Sequence, residues 1–217
     1  HYGSVSVGTF AVLIGHLAAQ GIPYEARAPV WVVVLEVPAI LAGIVLARGF
    51  GGDVAWKPLL RELLLGRSIV LLLGGLAIGW ISGPDGTVTI QPLFFGLFKG
   101  ILALFLLEMG LIAATQLSAL RRNAVFLVLF GVLMPLFGAA VGALLGRAIG
   151  LSTGGIFVLA TLAASASYIA APTAMRTAVP EANPALSLTA SLAVTFPFNI
   201  LVGIPIYHRL ATLVASF

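Results

Sequence analysis

The chain has 217 residues, 60% hydrophobic and 8% charged, with a mean hydropathy of +1.15. Soluble domains carry about a quarter charged residues, so a soluble globular domain is excluded and an all-α polytopic membrane protein is expected. With no cysteine there are no disulfides, thiol catalysis or cysteine zinc sites, and the net charge of +4 comes from basic residues scattered singly between apolar blocks, which speaks against nucleic acid as a partner.

Hydropathy and helix breakers divide the chain into seven apolar segments, at about residues 4–20, 28–48, 68–82, 92–117, 122–147, 154–174 and 186–213. Between the second and third, Trp56, Leu59, Leu60, Leu63 and Leu64 recur at helical spacing against Lys57, Arg61 and Glu62. That pattern predicts an amphipathic helix lying at the membrane interface. Gly75 and Gly79 in the third segment, and Gly138, Gly142 and Gly146 in the fifth, have the spacing of four that lets helices approach closely.

Loops after the second, fourth and sixth segments hold Arg48, Lys57, Arg61, Arg67, Arg121, Arg122 and Arg176, against Arg27, Arg147 and Arg209 on the other side. The positive-inside rule then puts the loop around 49–67 in the cytoplasm and the C-terminus outside. The first residues carry no initiator Met, no charged region and no cleavable apolar stretch. The chain therefore reads as an N-terminally incomplete piece of a longer parent.

The two ends resemble each other. Ser4, Pro23 and Pro38 match Ser165, Pro180 and Pro197 at offsets of 161, 157 and 159 residues. Equivalent units separated by five crossings have opposite orientations, the arrangement of an inverted-repeat secondary transporter. The expected parent has five plus five helices. Residues 1–48 would end the first repeat, 49–66 form a cytoplasmic linker, and 67–217 make up the second repeat.

Both matching elements put Ser, Thr and Gly in the middle of an apolar span, and the second adds Pro172, expected to leave the Tyr168 carbonyl without its helical partner. Two broken helices crossing at the midplane aim their N-termini at one point, which suits an anion. The hydroxyls of Ser4, Ser6, Thr9, Ser165 and Ser167 suit a hard cation such as sodium. The competing reading is that these small residues pack or bond back to their own helix. Glu36, two residues before Pro38, is an intramembrane carboxylate and so a candidate for coupling. Asn199 could serve at the second break, and Glu108 could line the path or bridge helices. Lys99 lies on the opposite face from Glu108 and is expected to snorkel.

Enzyme readings do poorly. The glycine that a nucleophile elbow needs before Ser6 is replaced by Ser4, and His1, His16 and His208 have no metal-binding spacing. No cofactor is expected, and sodium enters only as coupling ion.

Ile22-Pro23-Tyr24-Glu25-Ala26, Glu36-Val37-Pro38-Ala39, Ala163-Ala164-Ser165-Ala166-Ser167 and Val179-Pro180-Glu181-Ala182-Asn183-Pro184 resemble the sodium-dependent bicarbonate transporter family known from cyanobacteria. The resemblance implies a ten-helix fold, a homotrimer, and sodium-coupled uptake of bicarbonate across the bacterial plasma membrane. It carries the anion and sodium site onto Ser6, Gly8 and Thr9 in the first broken helix and Ser165, Ser167 and Tyr168 in the second, with Glu36 matching a family acidic residue. The family's Ser-Ser-Ser-Asp is Ser165-Ala166-Ser167-Tyr168 here, so a carboxylate and a hydroxyl are lost. The long cytoplasmic loop linked to a nucleotide-sensing partner is also short, and that partner is not carried over.

The combined expectation is a secondary transporter in the lipid bilayer that takes up a small inorganic or carboxylate anion, foremost bicarbonate, with sodium. Ser6, Gly8, Thr9, Ser165 and Ser167 would bind substrate, and Ser4, Glu36, Tyr168 and Asn199 would serve sodium or coupling. The alternatives are a proton- or sodium-coupled carrier of another small anion, and a structural or sensory membrane subunit that does not transport.

Overall fold

The computed structural model describes residues 1–49, 56–116 and 124–217, and among them every regular element is helical. The order is α1 (Val7–Gln20), α2 (Ala28–Arg48), α3 (Trp56–Leu64), α4 (Arg67–Gly86), α5 (Phe98–Gln116), α6 (Ala124–Ala148), α7 (Thr153–Ala163) and α8 (Ala170–Ala178). A last continuous helix, α9, runs over Pro184–Ala215. Four helices are long and apolar enough to cross a membrane: α2, α5 with its lead-in from Pro92, α6 and α9. Val7–Gln20, Ile69–Gly83 and Thr153–Ala163 are shorter apolar helices, which accounts for all seven segments. Arg121 and Arg122, the ends of the fourth and fifth segments, and residues 50–55 of the linker lie outside the described residues.

Three of the short helices begin or end at one place. At about 1.5 Å per residue, α1, α7 and α8 are roughly 21, 16 and 13 Å long, so each spans only part of a hydrocarbon core of about 30 Å. α7 ends at Ala163, and α1 and α8 start at Val7 and Ala170, α1 leading to the Glu25 loop beside Ser152 and α8 to Arg48 at the other end of α2.

Side-chain ties define two ends of the molecule. At one, the Ser152 N–H donates to Glu25 Oε1 at 2.7 Å. This seats the Ile22–Glu25 loop on the start of α7, where a Cβ on Gly154 would strike the Pro23 carbonyl and one on Gly155 the Glu25 carboxylate. At the other, Arg48 holds the Glu181 carboxylate through both terminal nitrogens, at 2.6 and 3.0 Å, and donates from Nε to the Ala178 carbonyl at 2.8 Å.

The main core joins Leu13 and Leu17 of α1, Val32 of α2, Ala139 and Ala143 of α6, Ile156 and Phe157 of α7, and Tyr207 of α9. α6 and α7 meet at the predicted glycine stripe. A Cβ on Gly142 would lie 2.8 Å from the Leu159 carbonyl, one on Gly146 3.2 Å from Ile156 Cα, and one on Gly138 would strike the Ala163 carbonyl. Gly75 and Gly79 do not follow: nothing lies within 4 Å of a Cβ at either position, so among the described residues they make no helix seam.

Two further expectations are refined. The amphipathic α3 divides its apolar residues, with Trp56, Leu60 and Leu64 exposed and the other two packed inside. Leu59 and Leu63 are buried against Ile40 and Ile44 of α2 and Ala171, Ala174 and Ala178 of α8, because α8 is too short to cover α2 by itself. The sixth segment is broken as expected, at residues 164–169, but Pro172 lies just beyond the break. It is the third residue of α8, in the first turn where its missing N–H has no intrahelical acceptor to lose, and Tyr168 lies before the helix. Pro38, by contrast, sits inside α2 without interrupting it.

Candidate functional site

Residues 1–6 and 164–169 are non-helical and pass each other antiparallel, with a bridge between Tyr2 and Ala166. Extended backbone at this depth needs partners inside the protein, and the two segments supply them reciprocally. The Ser6 N–H donates to Ser165 Oγ at 2.9 Å, and the Ser167 N–H donates to the Ser4 and His1 carbonyls at 3.0 and 3.1 Å. Each segment also caps the helix that follows it. Ser6 Oγ accepts from the Thr9 N–H at 3.1 Å, and Ser167 Oγ accepts from the Ala171 N–H at 3.2 Å. Side-chain oxygens in these positions satisfy first-turn donors that have no partner in the helix.

The end of α7 is tied down separately. Asn199 Nδ2 donates to the Ala164 carbonyl at 3.1 Å and its Oδ1 accepts from the Tyr207 hydroxyl at 2.7 Å. Asn199 opens a π-helical stretch of α9, Asn199–Gly203, a local widening that is common where a helix carries function. Thr195, at the end of the other π stretch, donates to the Gly131 carbonyl at 2.7 Å and meets the Tyr2 hydroxyl at 2.6 Å. With its own proton given to Gly131, Thr195 Oγ1 accepts from Tyr2.

A cavity of about 300 Å³ opens beside the crossing. Ser6, Val7 and Gly8 from α1 and its cap, Glu36 from α2, and Ser167 and Tyr168 from the second segment form its polar wall. Phe98, Ile101, Leu102 and Phe105 of α5 supply an apolar wall. Helical geometry leaves the Val7 and Gly8 N–H groups without an intrahelical acceptor, and they sit at the positive end of α1. The Tyr168 hydroxyl and Glu36 Oε2 are buried without a hydrogen-bond partner, the residues being 9% and 3% exposed. Among the described residues no Lys or Arg lines the cavity. Gly8 has no room for a side chain, since a Cβ there would strike the Tyr168 hydroxyl and lie 2.8 Å from the Phe105 ring.

Of the residues singled out from sequence, Ser6, Gly8, Glu36, Ser167 and Tyr168 border this cavity. Ser165, Ser4, Thr9 and Asn199 lie outside its wall. Ser165 is engaged by Ser6 and by the Leu162 carbonyl, to which its hydroxyl donates at 2.8 Å. Ser4 Oγ and Thr9 Oγ1 are buried and unpartnered. Glu108 and Lys99 are both exposed on α5, and neither borders this cavity.

Three features escaped the sequence. Tyr2 carried no motif, the α5 wall has no periodicity against an apolar background, and His16 and His208 are distant in sequence. The two imidazoles lie 6.1 Å apart by ring centroid, with Phe157 stacked on His208 at 4.9 Å. No group of three metal-ligating side chains occurs among the described residues.

No individually curated protein matches the chain. The sequence profile of the Na+-dependent bicarbonate transporter superfamily matches residues 1–212, and the chain, an all-helical membrane protein built around two crossing extended segments, belongs to that superfamily.

Proposed function

We propose that this chain takes up a small oxyanion, bicarbonate foremost, together with sodium, and that the crossing is where both bind. The observation that carries the reading is the pair of buried, mutually hydrogen-bonded extended segments whose following helices begin beside one cavity. The Val7 and Gly8 N–H groups, the Tyr168 hydroxyl and Ser167 would hold the anion at the positive end of α1. Ser4 Oγ and Thr9 Oγ1, buried oxygens without a hydrogen-bond partner, would take the sodium ion with nearby carbonyls, since hard cations prefer oxygen. Opposite charges bound on the two sides of the crossing stabilise each other, which is a physical basis for symport. Asn199 would act by fixing the end of α7, and Ser165 by fixing the start of α1.

The same reading has residues 1–48 and 67–217 as parts of two inverted repeats, joined by the 49–66 linker, in a homotrimer of the bacterial plasma membrane. The end bearing Arg48, Lys57, Arg61 and Arg176 would face the cytoplasm, with the C-terminus outside. Support for this polarity comes from the Arg48–Glu181 and Glu25–Ser152 ties, which group the loops into the two sets that the charge count needs.

Uptake of labelled bicarbonate into proteoliposomes tests the proposal, with and without an inward sodium gradient. Sodium-driven accumulation is the expected result. Accumulation that ignores the gradient would remove sodium coupling, and no uptake with any small anion would leave a structural or sensory subunit.

A further inference from the structure

Glu36 has no role in holding the fold together that its contacts reveal. It is 3% exposed, its Oε2 has no hydrogen-bond partner, and the only ion pair among the described residues is Arg48–Glu181. A buried carboxylate left like this is costly. It borders the same cavity as the donors at the start of α1 and the Tyr168 hydroxyl.

We propose that Glu36 makes the cavity selective for oxyanions that bring their own hydroxyl, by accepting the O–H of the bound anion; this rests on the anion-uptake reading above. The Val7 and Gly8 N–H groups can only donate, the Ser6, Ser167 and Tyr168 hydroxyls can donate, and Glu36 is the one carboxylate on the wall among the described residues. Those donors suit the deprotonated oxygens of any small oxyanion and distinguish none of them. An ionised carboxylate is an acceptor only. Bicarbonate satisfies both sets, with two oxygens facing N–H and O–H donors and its hydroxyl bonded to Glu36, a short charge-assisted contact.

Nitrate and formate have the same single charge and a similar planar shape, but no O–H to give. Each sets the same charge against Glu36 as bicarbonate does but offers no hydrogen to bridge the two, so the repulsion between the anions, strong where water is scarce, goes uncompensated. The α5 wall of Phe98, Leu102 and Phe105 offers no polar group to compensate. A site built to bond one particular hydrogen rejects analogues lacking it far more sharply than an apolar pocket rejects a small change of size.

The test is competition against labelled bicarbonate uptake in proteoliposomes of the unmodified protein. Unlabelled bicarbonate is expected to compete at least about tenfold more effectively than nitrate or formate. In E36Q, whose amide donates as well as accepts, the three competitors should come within about threefold of one another, whereas E36D, which keeps the acceptor, should retain the preference. Equal competition by nitrate and formate in the unmodified protein overturns the proposal while sodium-driven uptake, and with it the transport reading, stands. Undiminished discrimination in E36Q overturns the assignment to Glu36. Failure of the unmodified protein to take up bicarbonate at all is the separate result that sinks the transport reading itself.

Discussion

The two extended segments at the crossing use the same residue types for different ends. At matching positions 161 residues apart, Ser6 and Ser167 both cap the helix that follows. Ser4 and Ser165 both receive the partner segment's N–H, but Ser165 does so with its hydroxyl and Ser4 with its backbone carbonyl. The Ser165 hydroxyl is consumed by structure, and the Ser4 hydroxyl is left buried and free. A serine's type and position in a repeat therefore do not give its role; what matters is which of its atoms the neighbour needs.

The largest effect that probes this contrast is expected at Gly8, where the first segment touches the second through the Tyr168 hydroxyl and the Phe105 ring. Gly8→Val should cut bicarbonate uptake by about tenfold or more, because overpacking costs about 1–3 kcal/mol and displaces both walls of the cavity. Unchanged uptake would mean that the crossing yields easily and is no substrate site. Next in size is the serine pair. Ser165→Ala leaves the Ser6 N–H buried without an acceptor and should lower stability by about 1–3 kcal/mol, read as the unfolding midpoint in detergent. Ser4→Ala removes no hydrogen bond and should stay within about 0.5 kcal/mol, while raising the sodium concentration needed for half-maximal uptake. Equal destabilisation by the two changes would erase the distinction drawn between them. Smallest is Glu181→Gln. The carboxylate is 62% exposed, so breaking its pair with Arg48 should change stability by less than about 1 kcal/mol.

Much of this arrangement was legible in the sequence, and the limits have physical causes. Ser and Thr stand out in an apolar span because each needs a partner there, so the crossing at Ser4–Thr9 and Ser165–Tyr168 could be found without coordinates. The stripe Gly138-Gly142-Gly146 was readable for the same reason, as missing side chains that only a neighbouring backbone can fill. Gly75 and Gly79 have the same spacing and no neighbour among the described residues, since spacing permits close approach without requiring it. Pro172 misled because a proline in the first helical turn and one in the middle of a helix are the same letter. The α5 wall was invisible because Phe98 and Phe105 look like any lipid-facing aromatic, and Tyr2 shows its importance only through Thr195 and Ala166 far along the chain.

The Glu25 tie has a mechanical consequence. α1 and α7 are fastened to each other at both extremities, by the Ser6–Ser165 bond where they meet at the crossing and by the Glu25 carboxylate on the Ser152 N–H at the far end. Two anchorages remove the freedom to pivot that a single one would leave, so this pair of short helices is held as a strut. α8 is fastened likewise at its far end, where Arg48 bonds the Ala178 carbonyl as well as the exposed Glu181 carboxylate, so each short helix that leaves the crossing is tied at its other end to another part of the chain.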